Sequence, residues 1–377
     1  MGVGVKPLGV MFVIYGLAPA GPELRLLEFA RAFPDGPNQI DVHICVVGDD
    51  LTMLDEFRKT RARVLHVPMR RPYAEWRHVR TVLEYIAAND IRVLNSFNLK
   101  TLLVCAAAKV RYGSRVKLVH HLISLWDDVG PRQRAALWTM MRCADRVLCN
   151  GHAVKDRVIG NRRLGAPVSV IPNGVDCDYF RPAPQARVTT RARLGFRDEH
   201  VVIGAVGNIR PVKNVPFLLR AIKGMAASSP HARLLCVGGG PQLDETRALA
   251  QSLGIGDRVV FTGLATDVRP FVAAMDALAL CSLQEGNPNV VLQAMAMALP
   301  VVSVRVGEVP AVVEHGTTGL LVDAGDADAF LSSMSRLAAD AALRCALGRA
   351  GRERVTRLYS AQQMIGRYAT LMQQAAA

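Results

Sequence analysis

The sequence lacks the signals that most quickly betray a function. No two of its eight cysteines form a CxxC pair, and no Cys/His spacing matches a zinc site. Most of the cysteines sit inside apolar runs such as HICVVG and LLCVGGG, so they read as reduced, buried side chains of a cytosolic protein. No apolar run reaches the roughly 18–20 residues that cross a bilayer. LGVMFVIYGLAPA (8–20) imitates a secretion signal, but PELRLLEFARAF follows at once with Leu24, Leu27, Ala30 and Phe33 at helical spacing. Strand, turn, helix is the better parse. Acidic residues are scarce: 32 Asp+Glu face 46 Lys+Arg, and the deficit is concentrated in residues 1–190, where 17 acids face 27 bases. A basic half suits a nucleic acid, an anionic membrane or an acidic substrate, and charge alone does not choose among them.

What is present is an alternation. Short apolar, β-branched runs recur at 9–15, 41–48, 63–68, 91–96, 116–122, 145–150 and 169–173, separated by segments of helical period. Strands that are apolar on both faces, with helices between them, predict a parallel sheet covered on both sides. RPAPQARVTTRARLGFRDEH (181–200), rich in proline and arginine and poor in apolar residues, reads as a linker. The alternation then restarts at 201–207, 232–239, 258–263, 277–282, 300–305 and 319–324. Two doubly wound α/β domains are expected, with ligands at the carboxyl edges of their sheets. In 360–374 the apolar positions 364, 365, 368, 371 and 372 form one stripe, so a last helix is expected to pack back on the first domain.

Three strand ends of the second half carry chemistry. GNIRPVKN (207–214) places Arg210 and Lys213 just past a strand, where a guanidinium fork and an ammonium suit a diphosphate. LLCVGGGPQLDE (234–245) offers three glycines but not GxGxxG, and fits a ligand or a tight turn equally. EGNPNVVLQAMAMALP (285–300) loads polar and turn residues onto a helix start, whose free N–H groups attract anions. Asn289 could equally be an ordinary N-cap.

SVIPNGVDCDYFRP (169–182), GNIRPVKN, EGNPNVVLQAMAMALPVV (285–302) and GEVPAVVEHGTTGLLVDAGD (307–326) resemble, in order and spacing, the retaining glycosyltransferases of family 4. The resemblance implies the GT-B fold: two Rossmann-like domains facing a cleft. Here they are expected over 1–180, completed by helix 360–377, and over 201–359, joined by the 181–200 linker. It implies that Glu285 contacts the hydroxyls of a donor sugar. Backbone amides from Gly286 through Asn287 and Asn289 to Val290 would touch sugar and phosphate. Lys213 would hold the diphosphate, with Arg210 replacing an arginine the family often carries where this chain has Asn208. Gln293 stands where a second Glu usually binds the ribose, a neutral partner in place of a charged one. In the first domain Gly21 would approach the donor phosphates, and His121, placed by its spacing to Trp126, would lie near the sugar, with His120 as the alternative. A buried, hydrogen-bonded core histidine is the competing reading of both.

The resemblance calls for no cofactor and no metal. Carboxylate pairs at Asp127-Asp128, Asp176-x-Asp178 and Asp326-x-Asp328 are therefore not read as ligands, and Asp326 looks like an N-cap. The expected partners are a nucleotide sugar and a sugar or lipid-linked acceptor, with no nucleic acid. The run 57–80, with Arg58, Lys59, Arg61, Arg63, Arg70, Arg71, Arg77 and Arg80 interleaved with Tyr73 and Trp76, suits an anionic bilayer surface or a plain solvated face. A cytoplasmic enzyme, at times at the inner face of the membrane, is the implied setting. A GT-B sugar-nucleotide epimerase and a non-catalytic partner protein remain as alternatives.

Overall fold

The computed structural model describes residues 6–18, 21–33, 39–69, 76–123, 125 and 129–377, and divides into two compact units. The first comprises residues 1–172 with 362–377, the second 173–361.

The first unit holds a seven-stranded parallel sheet of β1 (Leu8–Ile14), β2 (Ile40–Val46), β3 (Arg63–His66), β4 (Ile91–Ser96), β5 (Lys117–Leu122), β6 (Arg146–Cys149) and β7 (Val168–Val170). Their order across the sheet is β3-β2-β1-β4-β5-β6-β7. Six helices connect the strands: α1 (Gly21–Ala32), α2 (Leu54–Arg58), α3 (Trp76–Ala88), α4 (Leu99–Tyr112), α5 (Pro131–Met141) and α6 (His152–Val158). Successive residues of β1 feed opposite cores, as a period of two requires. Met11 and Val13 pack with α3, α4, α5 and α6, while Val10, Phe12 and Ile14 pack with α1 and α2. The chain's last helix completes the second of these layers. Its Met364, Tyr368, Leu371 and Met372 are buried there, four of the five positions of the sequence stripe.

The second unit repeats the plan with α7 (Pro184–Arg193), β8 (Val201–Val206), α8 (Val215–Gly224), β9 (Ala232–Val237), α9 (Leu243–Ser252), β10 (Val259–Phe261), α10 (Arg269–Ala274) and β11 (Ala277–Leu280). It continues with α11 (Asn289–Ala296), β12 (Val301–Val304), α12 (Val309–Val312), β13 (Gly319–Val322), α13 (Ala327–Ala339) and α14 (Ala341–Leu358), before α15 (Ala361–Ala376) returns to the first unit. Its sheet order is β10-β9-β8-β11-β12-β13. Both sheets reverse direction of winding beside their first strand, between β1 and β4 and between β8 and β11. Such a switch point opens a crevice at the carboxyl ends of the two flanking strands.

The expected linker 181–200 is not a linker. Pro184 opens α7, where a missing N–H costs nothing. Arg187 and Arg191, one turn apart, both reach Asp276, at 2.7 and 3.1 Å, and Asp276 also accepts from the Val202 amide. Arg191 is 5% exposed and also donates to the carbonyls of Arg197 and His200. The arginines that make this stretch look solvated are the ones that fix it to the sheet. The cysteines form no disulfide among the described residues; Cys45, Cys105, Cys149, Cys236 and Cys281 are buried, while Cys143 and Cys345 are exposed.

Candidate functional site

The second unit's switch point brings the chemistry together. β8 ends at Val206 and the chain turns through Gly207 to Lys213; β11, its neighbour, ends at Leu280 and leads through Glu285 to α11. The amide of Leu283 donates to the Val212 carbonyl at 2.8 Å, tying the two loops. Residues 211–213 form a single tight turn closed by the Lys213 amide on the Arg210 carbonyl. The Lys213 ammonium then lies 2.6 Å from Glu285 Oε1, with the two side chains 21% and 11% exposed. Sequence reasoning gave these residues separate tasks, one for the diphosphate and one for the sugar; the fold pairs them directly. An ammonium has three donors, so the pair leaves Lys213 with capacity for an anion. Arg210 stands on the same turn and is exposed.

Two glycines make the arrangement possible. Gly207 has φ +147°, which side chains rarely adopt, and a Cβ there would lie 3.4 Å from Lys213 Cε, against the stem of the lysine. Gly307, at φ +52°, lies so close to the Glu285 carbonyl that a Cβ would sit 1.9 Å from it. The following amide, of Glu308, donates to the Gly286 carbonyl at 2.8 Å. The GEVP stretch thus holds the loop of Glu285 from behind, a task that sequence reading did not assign to it.

The start of α11 differs from the simple cap that Asn289 suggests. The helix begins at Asn289, its N-cap is Pro288, and no side chain caps it. Asn289 Oδ1 instead accepts from Asn173 Nδ2 at 2.7 Å, and the same nitrogen donates to the Asn287 carbonyl at 2.9 Å. The amides of Asn289 and Val290 therefore have no partner within the helix, and its partial positive charge faces the Glu285 loop. Gln293 stands one turn further along, half-buried. Asn208 is exposed, and its side chain fills the space that a Cβ on Gly240 would occupy. This gives the glycine run 238–240 a packing role. Asp326 caps α13 through the Ala329 amide, as expected.

The first unit places its candidates at the corresponding edge. Gly21 is the first residue of α1, and residues 19 and 20 before it lie outside the described residues. In the same first turn, burial and the nearby charge of Asp50 hold the Glu23 carboxyl above its usual range. His121 is the last residue but one of β5 and is 2% exposed. Its Nε2 donates to Asn95 Oδ1 at 2.7 Å, and its ring lies against Phe97 and Tyr368, with centroids 4.4 and 5.8 Å away. Burial, then the neighbouring His120 and Arg25, push its pKa well below the ordinary value, so the ring is neutral at pH 7. His120, on the other face of the strand, bonds Ser96 and is pushed down to about 4 by burial. Both histidines have the environment of core side chains. Trp126, Asp127 and Asp128 lie outside the described residues, as do Arg70, Arg71 and Tyr73 of the basic run. Of that run's remaining cations, Arg58, Lys59, Arg63 and Arg80 pair with Asp55, Glu56, Asp41 and Glu84, while Trp76 is 70% exposed.

Known proteins share this organisation. Residues 200–340 match the family model of glycosyl transferases group 1, and residues 19–179 match that of glycosyltransferase family 4. A GDP-mannose-dependent alpha-(1-6)-phosphatidylinositol monomannoside mannosyltransferase of Mycobacterium tuberculosis is 34% identical over 67% of this chain and 68% of its own. The Mycolicibacterium smegmatis protein of the same name is 35% identical over 59% of this chain, which spans 60% of that relative's length. Among solved structures, Anabaena HepE in complex with UDP and glucose superposes with a TM-score of 0.86 over 97% of this chain and all of that one, at 20% identity, which shows the shared GT-B fold. The chain belongs to glycosyltransferase family 4.

Proposed function

We propose that the chain transfers a sugar from a nucleotide-diphosphate donor to an acceptor hydroxyl with retention of anomeric configuration. The observation that carries the reading is the Lys213–Glu285 pair beside an uncapped helix start, all at one switch point. In this reading the acceptor hydroxyl attacks the anomeric carbon on the face from which the diphosphate departs. The C–O bond to phosphate breaks, and the departing phosphate oxygen takes the hydroxyl proton. The protein then needs no nucleophile; its task is to hold the charge that develops on the leaving group. Lys213, Arg210 and the amides of Asn289 and Val290 meet that charge. Glu285 accepts from sugar hydroxyls and Gln293 from the ribose. His121 and Gly21 are the first unit's candidates in this reading, His121 as a neutral ring whose position is set by Asn95.

The relatives' printed names support a nucleoside diphosphate donor, a mannosyl-type sugar and a lipid-linked acceptor. Exposed Trp76, followed by exposed Arg77, supports peripheral contact with an anionic membrane; the other cations described nearby are largely neutralised by carboxylates. The test is direct. Purified protein is incubated with nucleotide sugars and lipid-linked or oligosaccharide acceptors, and the product's anomeric proton coupling is read by NMR. A product with the donor's configuration supports the reading; an inverted product overturns the mechanism.

A further inference from the structure

Asn173 belongs to the PNGVD stretch that carries the family resemblance, yet nothing so far gives it a task. It is the first residue of the second unit and is 3% exposed. Its amide nitrogen is a two-pronged donor, to the Asn287 carbonyl at 2.9 Å and to Asn289 Oδ1 at 2.7 Å. Its own Oδ1 is buried and accepts nothing among the described residues. Turning the amide over would set that oxygen against two acceptors, so the observed orientation is the only one the network allows.

The consequence appears at α11. Three helices close their starts with side chains, Asn98 at α4, Asp326 at α13 and Asp340 at α14, while α11 is among the larger number that do not. At α11 the N-cap is a proline, which has no side-chain acceptor, and the polar residues on either side are both held by Asn173. Asn289 is a residue type that readily bonds free helix-start amides. With its oxygen held outward, it cannot.

We infer that Asn173 is a positioning residue of the donor site, which keeps the first amides of α11 open to phosphate by holding the Asn289 side chain away from them. This inference rests on the donor-binding reading above. The test is isothermal titration of wild type, Asn173→Ala and Asn173→Ala/Asn289→Ala with the nucleoside diphosphate that binds the wild type, and with the matching nucleoside. Asn173→Ala is expected to lose roughly five- to tenfold in diphosphate affinity, the worth of one helix cap, with nucleoside affinity unchanged. The double variant, with no side chain left to close the helix, is expected to recover most of that loss. An unchanged diphosphate affinity in Asn173→Ala overturns the inference. So does an equal loss for nucleoside and diphosphate, which would mean the loop has collapsed, and so does a double variant no better than the single one. A wild type that binds no nucleoside diphosphate refutes the donor-binding reading itself.

Discussion

Replacing Lys213 by alanine perturbs the site in two separable ways. It removes the cation that meets the leaving diphosphate. Loss of one such donor typically lowers kcat by about 10²–10³. It also strips Glu285 of its partner at 2.6 Å, in a place where the carboxylate is only 11% exposed. A bare carboxylate about 4 Å from a phosphate charge costs about 4 kcal/mol at an effective dielectric near 20, an upper figure because solvent screens part of it. Lys213→Ala should therefore lose at least about a hundredfold in kcat/KM and also bind nucleoside diphosphate more weakly. Adding Glu285→Gln removes the bare charge, so the double variant should bind nucleoside diphosphate better than Lys213→Ala alone, by a factor of about ten. Initial rates of sugar transfer and isothermal titration measure both effects. A Lys213→Ala enzyme within threefold of wild type in rate and affinity would refute the reasoning, as would a double variant that binds no better than the single one.

Three further outcomes follow from the packing. Asp276→Ala leaves Arg191 buried without its counter-ion and should destabilise the second unit by roughly 3–5 kcal/mol, read as a shifted denaturation midpoint. Gly307→Ala forces a side chain at φ +52° toward the Glu285 carbonyl, costing roughly 1–2 kcal/mol in backbone strain alone, and should weaken nucleotide binding. His120 is held neutral down to about 4, below its unfolded value, so its stabilisation is complete above about pH 6.5 and falls as pH drops from there toward 4. At pH 5 this one group should cost about 2 kcal/mol relative to pH 7, and His120→Gln should flatten the slope of stability against pH over that interval.

Much of this was legible in the residues because the signals are local. Thirteen apolar runs announced thirteen strands, since a sheet covered on both faces favours apolar residues along them. Lys213 and Glu285 were legible because each lies in the loop that follows a strand. What was not legible depends on contacts distant in sequence. α7 owes its place to Asp276, some 85 residues downstream, and arginines alone read as solvent-facing. Asn289 looked like a cap because the residue that diverts it, Asn173, lies 116 positions earlier. The hold of Gly307 and Glu308 on the Glu285 loop is a backbone contact that no residue type announces.

The central claim is that the switch point of the second unit binds a nucleoside diphosphate through Lys213. Thermal stabilisation of wild type and Lys213→Ala by UDP, GDP and ADP and their sugar conjugates tests it most directly. One nucleotide at a hundred times its Kd should add about 2.7 kcal/mol of stability to the wild type and clearly less, at the same concentration, to the variant. Absence of stabilisation by all of them, or an equal shift in Lys213→Ala, would contradict it.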